Sequence, residues 1–213
     1  MSDHNITGGN AYIKRVYAST SVEETQKAYD EWASVYDKDM IDLDYVSPQL
    51  VAEAAAKHIN SLPESSILDA GCGSGLVGIE LKKLGARTTD GVDLSPGMLD
   101  VARKSGAYRK LEVADLSSTI SVGDSAYDAA VSSGTLTEGH VGPAALAEFL
   151  RIVRPGGLIV TTILDHIWES KGYSQEVDRL GREGTVEVLS TEAQPYRRPT
   201  NVLARLVILR KSG

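Results

Sequence analysis

Ile67-Leu68-Asp69-Ala70-Gly71-Cys72-Gly73-Ser74-Gly75-Leu76 passes from an apolar run through alternating glycines into a segment of helical spacing. That order reads as a buried strand, a tight turn and a helix expected to begin near Ser74. Glycine has no Cβ, so its backbone enters conformations closed to other residues and lies close against a ligand. The helix that follows directs free N–H groups and the positive end of its dipole toward the same place. By itself the turn admits two readings, a structural strand-to-helix corner or a cradle for a nucleotide-like cofactor.

Outward from this turn the chain alternates short apolar runs with helical patterns, the mark of a parallel sheet covered on both faces. Strands are expected near residues 66–69, 88–93, 110–114, 127–132 and 158–163, with helices opening near Ser74, Ser95 and Pro143. After a helical stretch at 175–182 come two strand-like runs, 185–192 and 202–209, with no helix between them. Pro195, Arg197, Arg198 and Pro199 fall in the link, which makes it a turn, so the last pair is antiparallel. The expectation is an α/β fold: a doubly wound sheet of seven strands, mostly parallel with an antiparallel last strand, and helices on both faces.

Upstream, Ser21 and Glu24 have the spacing of a capping box, and Ala28, Tyr29, Trp32, Ala33 and Tyr36 recur on one face of the helix they open. Ser47 as N-cap and Pro48 as first helical residue begin a second helix, and Pro63 ends it. The expected organisation is a flexible segment over residues 1–20 and one domain over 21–213. Within that domain, 21–62 forms a helical lid on a core of 63–213.

Two acids follow the glycine turn in register. Asp93 ends the second strand 24 positions after Asp69, near the offset at which a carboxylate meets ribose hydroxyls in nucleotide-binding folds. Asp115 closes the third strand, as an acceptor for an adenine amino group or as an ordinary turn residue.

Composition narrows the setting. The chain has 213 residues, 42% of them hydrophobic, and a formal net charge of −7, with a pI near 5.1. An acidic surface of this kind disfavours nucleic acid and favours a small-molecule partner. The one basic cluster, Arg197, Arg198, Arg205, Arg210 and Lys211, reads as a solvated edge. The lone cysteine, Cys72, has no intramolecular partner, and the polar first ten residues resemble neither a signal peptide nor a membrane anchor. These features point to a cytoplasmic enzyme without a membrane segment.

The sequence resembles the class I S-adenosylmethionine-dependent methyltransferases of the small-molecule type. The likeness spans roughly residues 29–209. It is carried by Asp69 to Gly75 as a D-x-G-x-G-x-G loop, by Gly91-Val92-Asp93-Leu94-Ser95-Pro96-Gly97-Met98-Leu99, and by Leu150-Arg151-Ile152-Val153-Arg154-Pro155-Gly156-Gly157. Tyr29-Asp30-Glu31-Trp32-Ala33-Ser34-Val35-Tyr36-Asp37 is similar to the lid helix of that type. The resemblance implies a Rossmann-like core that binds S-adenosylmethionine and releases S-adenosylhomocysteine. It also implies roles: Asp69 and Gly71 at the methionine end, Asp93 at the ribose hydroxyls, Asp115 with Leu116 at the adenine and Met98 on its face, with Cys72, Gly73 and Leu94 also against the cofactor. Ser132 stands at the end of the fourth strand, and Tyr29 and Tyr36, seven positions apart, cap the cofactor or pack the helix down. Cys72 reads as a small turn residue, and Met98 alternatively as core.

On the acceptor side, His140 and then Glu138 are the candidate bases, since both follow the fourth strand at the carboxyl end of the sheet, where ligands bind. A histidine titrates near neutrality, which suits proton transfer, although His140 also fits a polar cap neighbour. Asp165, His166 and Trp168 follow the fifth strand, as a second acceptor-side group or as loop surface. No acidic cluster has metal-ligand spacing, so metal-assisted chemistry is disfavoured. A nicotinamide-dependent oxidoreductase needs a glycine where Leu76 stands. Two rivals keep the cofactor: a non-catalytic binding protein, and a non-methylating reaction on the same fold.

Overall fold

The computed structural model describes residues 6–139 and 141–213. Seven strands, β1 (Ser66–Ala70), β2 (Thr88–Asp93), β3 (Lys110–Val113), β4 (Tyr127–Leu136), β5 (Val153–Leu164), β6 (Val186–Arg197) and β7 (Val202–Lys211), form one sheet in the order β3-β2-β1-β4-β5-β7-β6. β7 runs antiparallel to both β5 and β6, and the remaining neighbours pair in parallel. This is the mixed, doubly wound Rossmann-like sheet expected. Strand order reverses between β1 and β4, so a crevice opens at the carboxyl ends of these strands.

Alternation along β1 shows how the sheet gains two cores. Ile67 packs with Val51, Ala55, Val77 and Leu81 of helices α4 (Ser47–His58) and α5 (Leu76–Lys83). The next residue, Leu68, points to the opposite face and joins Leu146, Phe149 and Val177 of α7 (Ala145–Ile152) and α8 (Tyr173–Arg182). Leu146 and Phe149 lie three positions apart on one face of α7, and burying each contributes about 1.5–3 kcal/mol. Helix α6 (Pro96–Lys104) follows β2, with Ser95 as its N-cap accepting from the Met98 amide.

Strands β4 and β5 run further than their apolar content suggests, because both are bulged. Between the pairs Ser132↔Thr161 and Leu136↔Ile163, three residues of β4 oppose Thr162 alone. The extra residues turn Ser133, Gly134 and Thr135 toward the crevice. On β5, Arg154-Pro155-Gly156-Gly157 loops out between Val153 and Leu158, the residues that pair with β4. An added Cβ at Gly157 meets the Asp128 carbonyl at 2.6 Å.

The N-terminal region departs from the sequence reading in three ways. Within the segment expected to be flexible, α1 (Ala11–Ala18) forms, with Ile13 and Val16 buried against Ala28, Trp32 and Met40. The lid helix is two helices, α2 (Val22–Trp32) and α3 (Tyr36–Asp42), so Tyr29 and Tyr36 do not share one helix. A straight helix separates residues 32 and 39 by about 10.5 Å along its axis; the break brings the Trp32 indole N–H to 2.7 Å from Asp39. Trp32 also stacks on Tyr12 and meets Tyr36 edge-on at 4.6 Å. Finally, Ser47 does not cap its helix. It is fully buried, and its hydroxyl bonds Ser133 and Thr162, tying α4 to the β4 bulge.

Of the C-terminal cations, only Arg198 is exposed as a solvated edge would be. Arg198 pairs with Asp44 and Arg205 with Asp165, while Arg210 and Lys211 donate to backbone carbonyls. Arg197 is buried outright, 2% exposed. Pro195 lies within β6, opposite Leu203. It is tolerated there because β6 is the sheet edge. No helix among the described residues is long and apolar enough to cross a membrane.

Candidate active site

At the strand-order reversal lies a cleft open to solvent, in the position where sheets of this kind bind small molecules. Its floor comes from the turns after the strands: Gly71 and Gly73 after β1, Asp93 and Leu94 at β2, Ala114, Asp115 and Leu116 after β3, and Ser133 to Thr135 in the β4 bulge. Met98, buried on α6, closes one end. The roof is Val16 of α1, Val22, Thr25 and Tyr29 of α2, and Tyr36 of α3.

Asp93 ties the glycine loop to the turn after β2. Its two oxygens accept from the Gly73 amide at 2.8 Å and the Ser95 amide at 2.9 Å. Burial pushes the Asp93 carboxyl above its ordinary value, against those N–H groups, which pull it down. Each oxygen keeps a lone pair for a further donor. Asp115 accepts from the Ser117 amide and hydroxyl, which fixes its turn.

The cleft fits a cationic nucleoside better than a pyrophosphate. Among its described lining residues the charged ones are Asp93 and Asp115, both acidic, and no lysine or arginine lines it. Gly73 has φ +53°, and an added Cβ there meets nothing within 4 Å, so the missing side chain leaves cleft volume for the ligand. Gly71 is the opposite case: with φ +76°, an added Cβ would lie 2.1 Å from the Thr135 hydroxyl. A sulfonium and an ammonium group are favoured in such a negative field, and phosphates are not.

Nine of the residues singled out in the sequence line this cleft: Tyr29, Tyr36, Gly71, Gly73, Asp93, Leu94, Met98, Asp115 and Leu116. Asp69, Cys72 and Ser132 lie behind it. Asp69 is fully buried, accepts a 2.6 Å hydrogen bond from the Tyr108 hydroxyl, and leaves Oδ1 without a partner. Its carboxyl is pushed up to about 7 by burial, with the Tyr108 bond pulling the other way. Cys72 is buried against Gly91, and burial pushes its thiol well above the ordinary range. The Ser132 hydroxyl donates to the Ala70 carbonyl.

The expected acceptor-side residues are largely elsewhere. Glu138 bonds His166 at 2.5 Å and Lys171 at 2.9 Å. Against the effect of its own burial, these two donors hold its carboxyl below the ordinary range. Trp168 lies under the Arg205 guanidinium, away from the cleft. His140 falls outside the described residues; its chain neighbours Gly139 and Val141 line the cleft.

Two residues that sequence reasoning passed over support the site. The Tyr108 ring fills the slot left by Gly75, Gly78 and Gly91, and its hydroxyl bridges Asp69 and the Gly78 amide. Asp30, on the lid helix, accepts from the Ser95 hydroxyl and the Gly97 amide. For Tyr108 the available signal was the pair of glycines outside the turn, at 78 and 91. Asp30 stood within the lid motif without an assigned partner.

Residues 68–161 match the methyltransferase domain family. The chain is 32% identical over 184 residues to methyltransferase-like protein 27 of Homo sapiens, a match covering 84% of this chain and 75% of that protein. Over a shorter stretch of 105 residues it is 40% identical to the malonyl-[acyl-carrier protein] O-methyltransferase of Serratia marcescens, covering 49% of this chain and 40% of that enzyme. Among solved structures, the [4+2]-cyclase SpnF superposes with a TM-score of 0.69 at 15% identity, over 91% of this chain and 98% of that one. This last likeness shows a common fold. The chain belongs to the class I S-adenosylmethionine-dependent methyltransferases: it is an enzyme whose cofactor is S-adenosylmethionine and whose cofactor product is S-adenosylhomocysteine.

Proposed function

We propose that the enzyme methylates an oxygen or nitrogen atom of a small molecule, by in-line displacement and without a metal. The observation that carries this reading is the roof of the cleft. Three N-terminal helices lay Val16, Val22, Thr25, Tyr29 and Tyr36 over it, which favours an acceptor small enough to fit beneath a lid. A protein segment has little room there.

Bound S-adenosylmethionine supplies a methyl group already activated by its sulfonium. In this reading Asp93 accepts from the ribose hydroxyls, Asp115 and Leu116 hold the adenine, and Met98 packs on its face. Gly73 makes room for the methionine end, Gly71 keeps the loop close against Thr135, and Tyr29 and Tyr36 exclude water. Asp69, Cys72 and Ser132 act from behind, by holding the loop. Alignment of this kind contributes about 7–11 kcal/mol to a bimolecular displacement, enough for a reactive acceptor. For an alcohol or phenol, proton removal adds roughly 10²- to 10⁴-fold. His140 is the candidate for that step, on the strength of its cleft-lining neighbours. Glu138, committed to His166 and Lys171, is the weaker base.

Labelled methyl transfer from S-adenosylmethionine to a panel of phenols, carboxylic acids and amines tests the reading. Label in at least one low-molecular-weight product is expected. Transfer confined to protein substrates overturns it. If His140 is the base, His140→Ala lowers turnover while leaving S-adenosylhomocysteine affinity unchanged.

A further inference from the structure

A second, smaller cavity lies beside the cofactor cleft and shares Val16, Tyr29, Tyr36 and Gly134 with it. Its remaining polar lining is Tyr17, Trp32, whose N–H is taken by Asp39, Tyr45, Tyr196 and Arg197. Arg197 is the one charged residue among those described there.

The placement of Arg197 is unusual for a cation. It ends β6 opposite Val202, held against the lid linker by a bridge to Tyr45, and is 2% exposed. Its Nε has no hydrogen-bond partner, and Nη2 donates only to the Tyr17 hydroxyl, at 3.4 Å. Its guanidinium sits 5.3 Å from the Tyr196 ring centroid. Among the described residues no carboxylate pairs with it, whereas the adjacent Arg198 has Asp44 and Arg205 has Asp165. Buried charges are ordinarily paired, because an unpaired one forfeits hydration without compensation. A guanidinium presents a planar fork that matches a carboxylate with two parallel hydrogen bonds.

We propose that this second cavity is the acceptor site, and that it selects a small carboxylate-bearing molecule with an aromatic or apolar body, whose carboxylate sits on Arg197. The inference deepens the small-molecule reading above and rests on it. The tyrosines provide flat, apolar walls for the body of the ligand. Burial raises the phenols of Tyr17, Tyr29, Tyr36, Tyr45 and Tyr196 above their ordinary range, so they stay neutral donors and do not repel an anion. The two cavities are complementary in charge, acidic where the sulfonium binds and basic where the acceptor binds. Ser133 links them, since it lines the cofactor cleft while its hydroxyl bonds Tyr45 at 2.9 Å. Arg197 is a specificity-determining residue in this scheme.

Calorimetric titration of the S-adenosylhomocysteine-loaded enzyme tests the assignment. The probes are benzoate, phenylacetate and 3-phenylpropanoate, each beside its primary amide, which has the same shape without the charge. At least one acid is expected to bind about tenfold or more tighter than its amide, the discrimination of a charge-assisted hydrogen-bonded site. Arg197→Gln should erase the preference while S-adenosylhomocysteine affinity is retained; Arg197→Lys, which keeps the charge and loses the fork, should retain part of it. Absence of binding by all three acids, equal binding of acids and amides, or a preference that survives Arg197→Gln overturns the anion site. The wild-type comparison decides even where a variant does not fold. Small-molecule methylation with no carboxylate preference sinks this inference alone, and absence of any small-molecule methylation sinks the reading beneath it.

Discussion

The Asp30 carboxylate on the lid accepts a 2.5 Å hydrogen bond from the Ser95 hydroxyl, the same hydroxyl that caps α6 by accepting from the Met98 amide. The Gly97 amide donates to the same Asp30 oxygen at 2.9 Å. One side chain therefore fastens the roof of the cofactor cleft to its floor, next to Asp93. Hydrogen bonds to a charged group are worth about 1.5–3 kcal/mol each, less where water competes. Asp30→Ala is accordingly expected to weaken S-adenosylhomocysteine binding roughly tenfold with the far-ultraviolet circular dichroism unchanged. Calorimetry reads the effect, and unaltered affinity means the lid is held by its aromatic contacts alone.

Tyr108 acts on the opposite side of the loop. Tyr108→Phe keeps the ring in its glycine slot but removes the hydroxyl from both Asp69 and the Gly78 amide. A buried polar group left without its partner costs about 1–3 kcal/mol, so the free energy of unfolding should fall by that amount, read as a lower denaturant midpoint. Cofactor affinity should change less than in Asp30→Ala, because Tyr108 does not line the cleft. A midpoint equal to that of the wild type contradicts the bridge.

Burial pushes the Asp69 carboxyl up to about 7 from an ordinary 3.8. Between those values the folded protein keeps a proton that the unfolded chain has released. Stability from this group is therefore greatest at low pH, declines as pH rises from about 4 to about 7, and is level above that. The full decline is on the order of 4 kcal/mol. Asp69→Asn stays neutral throughout, so its denaturant midpoint should fall less across the same range. Parallel pH profiles for the two proteins rule out the elevated carboxyl.

Glycine substitutions separate backbone strain from close contact. Gly71 and Gly156 both have φ +76°, but an added Cβ meets the Thr135 hydroxyl at the first and nothing within 4 Å at the second. Gly156→Ala should cost about 1–2 kcal/mol, the penalty of the left-handed region. Gly71→Ala should cost more, and should also weaken cofactor binding. Equal losses of stability show that Thr135 yields freely.

The sheet was legible because short apolar runs and helical patterns alternate between residues 66 and 182, and because the glycines and acids at strand ends keep their register. Asp93 and Asp115 were found on that basis, and Met98 through the family resemblance. Three features were not legible. The break between α2 and α3 was hidden because Trp32 and Tyr36 still meet across it, so the apolar spacing continues as though the helix did. Ser132 and Ser133 are adjacent in sequence, and only the bulge decides that Ser133 lines the cleft while Ser132 bonds the Ala70 carbonyl. Arg197 looks like any arginine near a turn. Its burial depends on Tyr45 and Tyr17, more than 150 residues earlier, a relation no local pattern carries.

The central claim is that the acidic cleft beneath the lid holds S-adenosylmethionine through Asp93. Its most direct test is calorimetric titration of the wild-type and Asp93→Ala enzymes with S-adenosylhomocysteine and, separately, with NAD. The account predicts saturable S-adenosylhomocysteine binding to the wild type, a loss of about tenfold or more in Asp93→Ala, and no comparable binding of NAD to either. Equal affinity of the wild type for the two ligands, or unchanged S-adenosylhomocysteine affinity in a folded Asp93→Ala, contradicts it.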